Sequence, residues 1–177
     1  MVRLRTGDIT AWSGDAIVNP TNVAMHGTGA SVDGAVHRVG GMELTRECRS
    51  IGHVGLGEAV VTGGGGLPVP YVLHTAVPEF DGSDKSLHLL AACYRSALQL
   101  AAQLRLNRVA VPAIGTGTNR FPVERAADIA VHEVLEALAR AGGPNRIEIV
   151  LYDDATREVF GRALKRAAER RTASAAV

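Results

Sequence analysis

Three polar segments, each following a strand-like run, hold the residues whose types and spacing could do chemistry: Gly7-Asp8-Ile9-Thr10, Asn19-Pro20-Thr21-Asn22 and Ile114-Gly115-Thr116-Gly117-Thr118-Asn119. The third is the most telling. A Gly-Thr-Gly turn between an apolar strand and a helix exposes several backbone N–H groups, with no bulky side chain to block a phosphate. No lysine follows it, so it is not the ATP-binding P-loop, and no G-x-G-x-x-G fingerprint follows the first strand. A nucleotide diphosphate could be cradled there without a metal. The second segment continues through Gly27-Thr28-Gly29-Ala30-Ser31-Val32-Asp33-Gly34 into a helix start, which makes a second phosphate cradle. Asn22 and Asp33 stand at its two ends. An amide facing a carboxylate suits a hydroxyl-rich ligand such as a ribose. The same residues also have structural readings: Asp33 as a helix-start acid, Asn22 as a turn former and the glycine turn as a connector.

The elements that would carry these loops alternate along the chain. Val2 to Thr6, Ala16 to Val18, Glu58 to Thr62, Tyr71 to Thr75, Arg108 to Pro112 and Ile147 to Tyr152 read as strands. The second is expected to end at Asn19-Pro20, because proline does not continue a central strand. The fifth is apolar enough to be buried on both faces. Helical spacing begins at Val32, is interrupted at Gly40-Gly41 and resumes from Met42 to Cys48. Ser86 to Leu106, Val123 to Ala141 and Ala155 to Arg171 complete the helices. This alternation predicts an α/β fold with helices on both faces of the sheet, and loops leaving parallel strands collect at one edge, where such sheets place ligands. One domain over residues 1–171 suits the 177-residue length, with a frayed tail from Thr172 to Val177.

Composition narrows the function classes. The 19 basic and 18 acidic residues nearly cancel, and 4% aromatic content is too little for a base-stacking surface, so nucleic acid is not the expected partner. The basic residues Arg162, Lys165, Arg166, Arg170 and Arg171 read as a solvated helix face. Cys48 and Cys93 cannot make a disulfide framework or a four-ligand zinc site, and Cys93 reads as a buried free thiol. His37 and His74 read as packing or hydrogen-bonding residues, and Glu58 as a partner at a strand start. No metal is expected. No apolar run is long enough to span a bilayer and no signal-peptide core opens the chain, so a cytoplasmic monomer is expected.

Read in order, these segments resemble a known family. Gly7-Asp8-Ile9-Thr10, Asp15-Ala16-Ile17-Val18-Asn19-Pro20-Thr21-Asn22 and Val32-Asp33-Gly34-Ala35-Val36-His37-Arg38 look like the opening of a macro domain. Gly57 to Thr62, Tyr71 to Thr75 and Val111 to Gly117 fit the same pattern, so the match runs from Val2 to Leu164. The resemblance implies a three-layer α/β/α sandwich around a mixed, mostly parallel sheet that binds ADP-ribose along its strand-end edge. It implies that Asp8 accepts a hydrogen bond from the adenine amino group, that Ile9 adds a backbone contact and that Tyr152 packs against the adenine. The diphosphate would lie between Gly29, Ala30, Ser31 and Val32 on one side and Ile114, Gly115, Thr116, Gly117 and Thr118 on the other. Asn22 would hold the distal ribose, near Asn119.

Val32-Asp33-Gly34 is similar to the branch of the family that hydrolyses ADP-ribose from modified proteins, where an aspartate at this position orients a water near the anomeric carbon. Asn22 and Asp33 are then the catalytic pair, mono-ADP-ribosylated proteins are the partners, and neither cofactor nor metal is needed. Three departures separate this chain from that branch: Gly27-Thr28-Gly29-Ala30-Ser31 replaces a run of four glycines, the interval from Asn22 to Asp33 is one residue longer, and Asn119 replaces a common aromatic residue. A non-catalytic ADP-ribose-binding module and a hydrolase of a small metabolite such as O-acetyl-ADP-ribose are the alternatives. Gly115→Glu is expected to abolish binding by placing bulk and charge where the phosphates sit.

Overall fold

The computed structural model describes residues 1–27 and 29–175. Six strands form one sheet: β1 (Val2–Thr6), β2 (Ala16–Thr21), β3 (Ala59–Gly63), β4 (Tyr71–Ala76), β5 (Arg108–Pro112) and β6 (Arg146–Leu151). Four helices alternate with them: α1 (Val32–Ile51), α2 (Asp84–Gln103), α3 (Val123–Ala139) and α4 (Asp154–Ala175). The strand order is β1-β6-β5-β2-β4-β3, with every pairing parallel except β3 against β4. The sheet is therefore mixed and mostly parallel, as expected.

Alternation along the central strands builds two cores. Ala16, Val18, Val109, Val111, Ile147 and Ile149 face α2, α3 and α4, whereas Ile17, Ala110 and Val150 face α1 and a 3-10 turn at Ile9–Ala11. Three helices thus cover one face and a single bent helix covers the other. The bend is at Gly41, whose φ of 72° and ψ of −157° leave the helical region, where the sequence places its interruption. Val109 to Pro112 of β5 are buried, as its apolar composition predicts.

One expectation about strand length fails. β2 runs through Pro20 to Thr21 instead of ending at Asn19-Pro20. Its ladder to β5 stops at Ile17, and the Thr21 carbonyl faces β4, where it accepts from Val77 N–H. Pro20 therefore faces the side that has no ladder, and its missing N–H costs no hydrogen bond. The last helix continues to Ala175, through the first residues of the expected tail, and residues 176 and 177 lie outside the described residues.

Candidate functional site

β1, β2, β4, β5 and β6 all end at one edge, so the loops after them converge there. Asp8 leads the first. Its Oδ1 accepts from both the backbone N–H and the hydroxyl of Thr10, at 2.8 Å each, which caps the 3-10 turn. Ile9 is buried under it, and Gly7 N–H donates to Leu151 C=O at 2.8 Å, tying this loop to the end of β6. Tyr152, the next residue after β6, stands 92% exposed and is free to pack against a flat ligand.

The loop after β2 is fastened at three points. Asn22 Oδ1 accepts from the N–H groups of Ala24 and His26, and its Nδ2 donates to His26 C=O at 2.8 Å. Met25 is buried in the α1-side core at a φ of 56°, and Val54 N–H donates to Val23 C=O. Ser31 caps α1, accepting from Gly34 N–H, so the helix begins directly after Gly29 and Ala30. Gly29 has a φ of 67° with open space where a Cβ would stand. Thr28 lies outside the described residues. Gly27 is held to glycine for a different reason: a Cβ there would meet the His37 ring at 2.2 Å.

Asp33 does not face the open loop as a simple helix-start acid. Its carboxylate turns inward, accepting from Asn19 Nδ2 at 2.8 Å and from the Thr21 hydroxyl at 3.1 Å, with His37 Nε2 at 3.7 Å. About one-sixteenth of the side chain stays accessible, at 6%. Burial pushes its pKa above the ordinary carboxylate value of 3.8, against the opposing pull of Asn19, His37, Thr21 and His26. Asn22 and Asp33 flank the same loop but share no hydrogen bond, since the Asn22 amide is engaged with His26 and Ala24. Sequence reasoning missed the inward partners. The only available signal was that Asn19 lies two residues from Thr21 on a strand, which puts both on one face.

Behind this carboxylate a polar chain crosses the sheet. Asn19 Nδ2 also reaches His74 Nδ1 at 3.1 Å, and His74 Nε2 lies 2.8 Å from the Thr62 hydroxyl. His37 Nδ1 meets the Thr45 hydroxyl at 3.2 Å. Both histidines are thus hydrogen-bonding residues, as their sequence context suggests. Glu58 likewise serves a strand start, accepting from Gly55 N–H.

His74 carries a pH consequence. Burial, with a smaller repulsion from His37, lowers its pKa from 6.5 to about 3. In between, the unfolded chain holds the proton and the folded chain does not, so stability falls as pH drops through that window. This one group contributes at most about 1.4 kcal/mol per pH unit. Urea denaturation between about pH 4 and 7 should therefore give a shallower slope for His74→Asn than for the native chain.

The glycine loop after β5 is anchored by a tyrosine from the next layer. Tyr94 of α2, fully buried, accepts from Ile114 N–H at 2.8 Å and donates to Pro112 C=O at 3.0 Å. Phe121 N–H closes the loop onto Gly115 C=O at 3.0 Å. Tyr94→Phe should cost about 1–2 kcal/mol, because polar groups at the loop entrance lose their partner. The check is a lower urea midpoint with an unchanged slope.

Gly115 corrects an expectation. Its φ is +83° and a Cβ would strike Phe121 at 2.7 Å, so its side-chain direction is inward. Gly115→Glu therefore breaks the loop instead of occupying the cradle. Gly117 has nothing within 4 Å of a Cβ and is exposed. Asn119 is also employed structurally: its Nδ2 donates to Val77 and Pro78 carbonyls, and its own carbonyl accepts from Phe80 N–H at 2.9 Å. This brings Phe80, whose ring lies 5.1 Å from that of Phe121, beside the loop. Nothing in the spacing or type of its neighbours singles out Phe80.

Elsewhere, Cys93 is a buried thiol donating to Ala76 C=O, and burial raises both thiols to about 11. Arg166 and Arg171 pair with Asp128 and Glu136 of α3 on the surface. Among the described residues no group of three His, Cys, Asp or Glu side chains could hold a metal ion, and no helix is long and apolar enough to cross a membrane.

Comparison with known proteins accords with this arrangement. The macro domain model matches residues 18–130. A macro domain-containing protein of Cupriavidus necator is 48% identical over 153 residues, covering 84% of this chain and 88% of that one. A protein of Klebsiella pneumoniae (strain 342) named O-acetyl-ADP-ribose deacetylase is 39% identical over 163 residues, covering 89% and 93%. Among solved structures, a mutant Oceanobacillus iheyensis macrodomain with ADPR superposes with a TM-score of 0.88 at 31% identity, covering 94% and 92% of the two chains. The Trypanosoma brucei macrodomain in complex with ADP-ribose gives 0.84 at 33% identity, covering 92% and 68%. With its strand order, its two edge loops and these relatives in agreement, the chain belongs to the macro domain family.

Proposed function

We propose that this chain binds ADP-ribose along the strand-end edge and hydrolyses the ester that joins the distal ribose to an acidic side chain of a modified protein. The observation that carries this reading is the Asp33 carboxylate: inward, clamped by Asn19 and Thr21, still partly accessible, and made more basic by burial. The ADPR-bound relatives and the named deacetylase support the ligand and the hydrolytic chemistry.

Asp8 takes the adenine amino group through Oδ2, since Oδ1 is occupied by Thr10. The diphosphate sits between residues 29–32 and 114–118, on bare N–H groups and the start of α1. Asn22 holds the distal ribose at the mouth of its loop. Water then adds to the anomeric carbon, the bond to the ester oxygen breaks, and its electron pair departs on the carboxylate. The proton of that water passes to Asp33. A carboxylate leaving group needs little protonation, and the nearby phosphates stabilise the developing positive centre, so positioning is the main task of the chain.

The test is incubation with a peptide carrying ADP-ribose on glutamate, followed by mass spectrometry. Free ADP-ribose and unmodified peptide are expected; a retained label marks a binding module. A second reading, deacetylation of O-acetyl-ADP-ribose, is favoured by the name of the Klebsiella relative, and it predicts acetate release from that metabolite with the peptide untouched. For the adenine end, Asp8→Ala should weaken ADP-ribose binding about tenfold, near 1.4 kcal/mol, and leave ribose-5-phosphate unaffected. Calorimetry with both ligands checks this, and equal losses contradict the assignment.

A further inference from the structure

His74 is a costly choice for the middle of a sheet. It is fully buried on β4, in register beside Asn19 of β2. Packing alone would be served by an apolar residue there. What the imidazole adds is a direction. Thr62 donates its hydroxyl hydrogen to Gly63 C=O at 3.0 Å, so its oxygen is left to accept from His74 Nε2 at 2.8 Å. Nε2 then carries the ring proton and Nδ1 is bare. A bare Nδ1 accepts from Asn19 Nδ2 at 3.1 Å, and the second hydrogen of that same nitrogen goes to Asp33 Oδ1 at 2.8 Å. The Asn19 oxygen is buried with no hydrogen-bond partner. The amide therefore sits in the orientation that sacrifices its own acceptor in order to serve two others.

We propose that His74 is a positioning residue for Asp33: held as the neutral Nε2–H tautomer, it fixes the Asn19 amide so that an N–H always faces the carboxylate. The proposal rests on the reading that Asp33 acts on water. Were Nδ1 to gain a proton, two N–H groups would confront each other and the amide would lose its reason to face that way. Burial prevents this, holding the imidazole neutral down to about pH 3. The other groups facing His74 are His37 and the Cys48 thiol, whose Sγ lies 3.8 Å from Nε2. Those facing Asp33 are His37 and the Cys48 thiol on α1, His26 in the loop after β2, and, through Asn19, His74 itself.

The experiment compares His74→Leu with His74→Asn, whose side-chain oxygen can take the place of Nδ1 as acceptor. With glutamate-linked peptide as substrate, His74→Leu is expected to lower kcat by about 10- to 100-fold with KM unchanged, as a displaced catalytic group does. Its acid limb should move to higher pH, because the carboxylate loses a donor that favours the charged form. His26 and His37 are common to both variants and cancel in the comparison. His74→Asn should recover most of kcat and return the acid limb. Equal kcat and an equal limb in the two variants would overturn the proposal.

Nitrogen NMR of the unliganded native chain should show a bare Nδ1 and a protonated Nε2, unchanged from neutrality down to about pH 4. A protonated Nδ1 overturns the proposal even if His74→Leu does not fold. Carboxyl NMR should also find Asp33 titrating higher in His74→Leu than in His74→Asn. Both spectroscopic readouts need no substrate. If the native chain releases nothing from the peptide, the hydrolase reading fails while the assignment for His74 is still decided.

Discussion

Replacing Asp33 with asparagine is expected to cut release of ADP-ribose from a glutamate-linked peptide by about 100-fold or more while leaving ADP-ribose affinity almost unchanged. The carboxylate is turned inward to Asn19 and Thr21 and only 6% of its side chain is accessible, so its loss removes little of the binding. Asparagine is the better variant than alanine. Its oxygen can still accept from Asn19, whereas alanine strands the Thr21 and Asn19 donors inside the protein at about 1–3 kcal/mol. The pH profile supplies a second signature. Because desolvation raises the Asp33 pKa, turnover by the native chain should fall on the acid side at a pH above the ordinary carboxylate range. Undiminished turnover by Asp33→Asn, measured beside calorimetry on ADP-ribose, would remove Asp33 from the reaction.

The second large effect separates two glycines in one loop. Gly117→Glu should lower ADP-ribose affinity by about 100-fold, near 3 kcal/mol, with thermal stability close to native. A side chain there enters open space beside the proposed diphosphate and brings a negative charge to it. Gly115→Glu should instead reduce stability by about 3 kcal/mol or more, because it forces a side chain into a left-handed conformation against Phe121. Calorimetric binding with thermal melts distinguishes the two. Native-like affinity in Gly117→Glu places the diphosphate elsewhere.

The fold was legible because its signals are local. Alternation in Ile17 against Ala16 and Val18, or Ala110 against Val109 and Val111, divides residues between two cores before any tertiary contact is known. The Gly40-Gly41 interruption gave the bend in α1. Pro20 misled because its cost depends on which neighbour the strand has lost, a property of the sheet and not of the strand. The site was legible in part for the same reason. Loop composition picked out residues 29–32 and 114–118, yet it could not say which way a Cβ points, so Gly115 and Gly117 looked alike. Nor could spacing reveal that Asp33 turns inward to Asn19, or that Asn119 spends its amide on Val77 and Pro78, since these bonds join segments distant in the chain.

The inward turn has a physical logic for the proposed reaction. A carboxylate at a helix start, fully solvated, would be a weak base. Burying it beside Thr21 and Asn19 raises its basicity while keeping its geometry fixed. Tyr94 does the corresponding service for the opposite wall, fixing the entrance of the glycine loop from α2.

The most direct measurement follows oxygen from the attacking water. Hydrolysis of the glutamate-linked peptide in heavy-oxygen water, read on the released peptide by mass spectrometry, reports which carbon is attacked. Attack at the anomeric carbon leaves the glutamate carboxylate unlabelled, and that is the predicted result. Heavy oxygen in the glutamate, or a peptide that keeps its ADP-ribose, would contradict it.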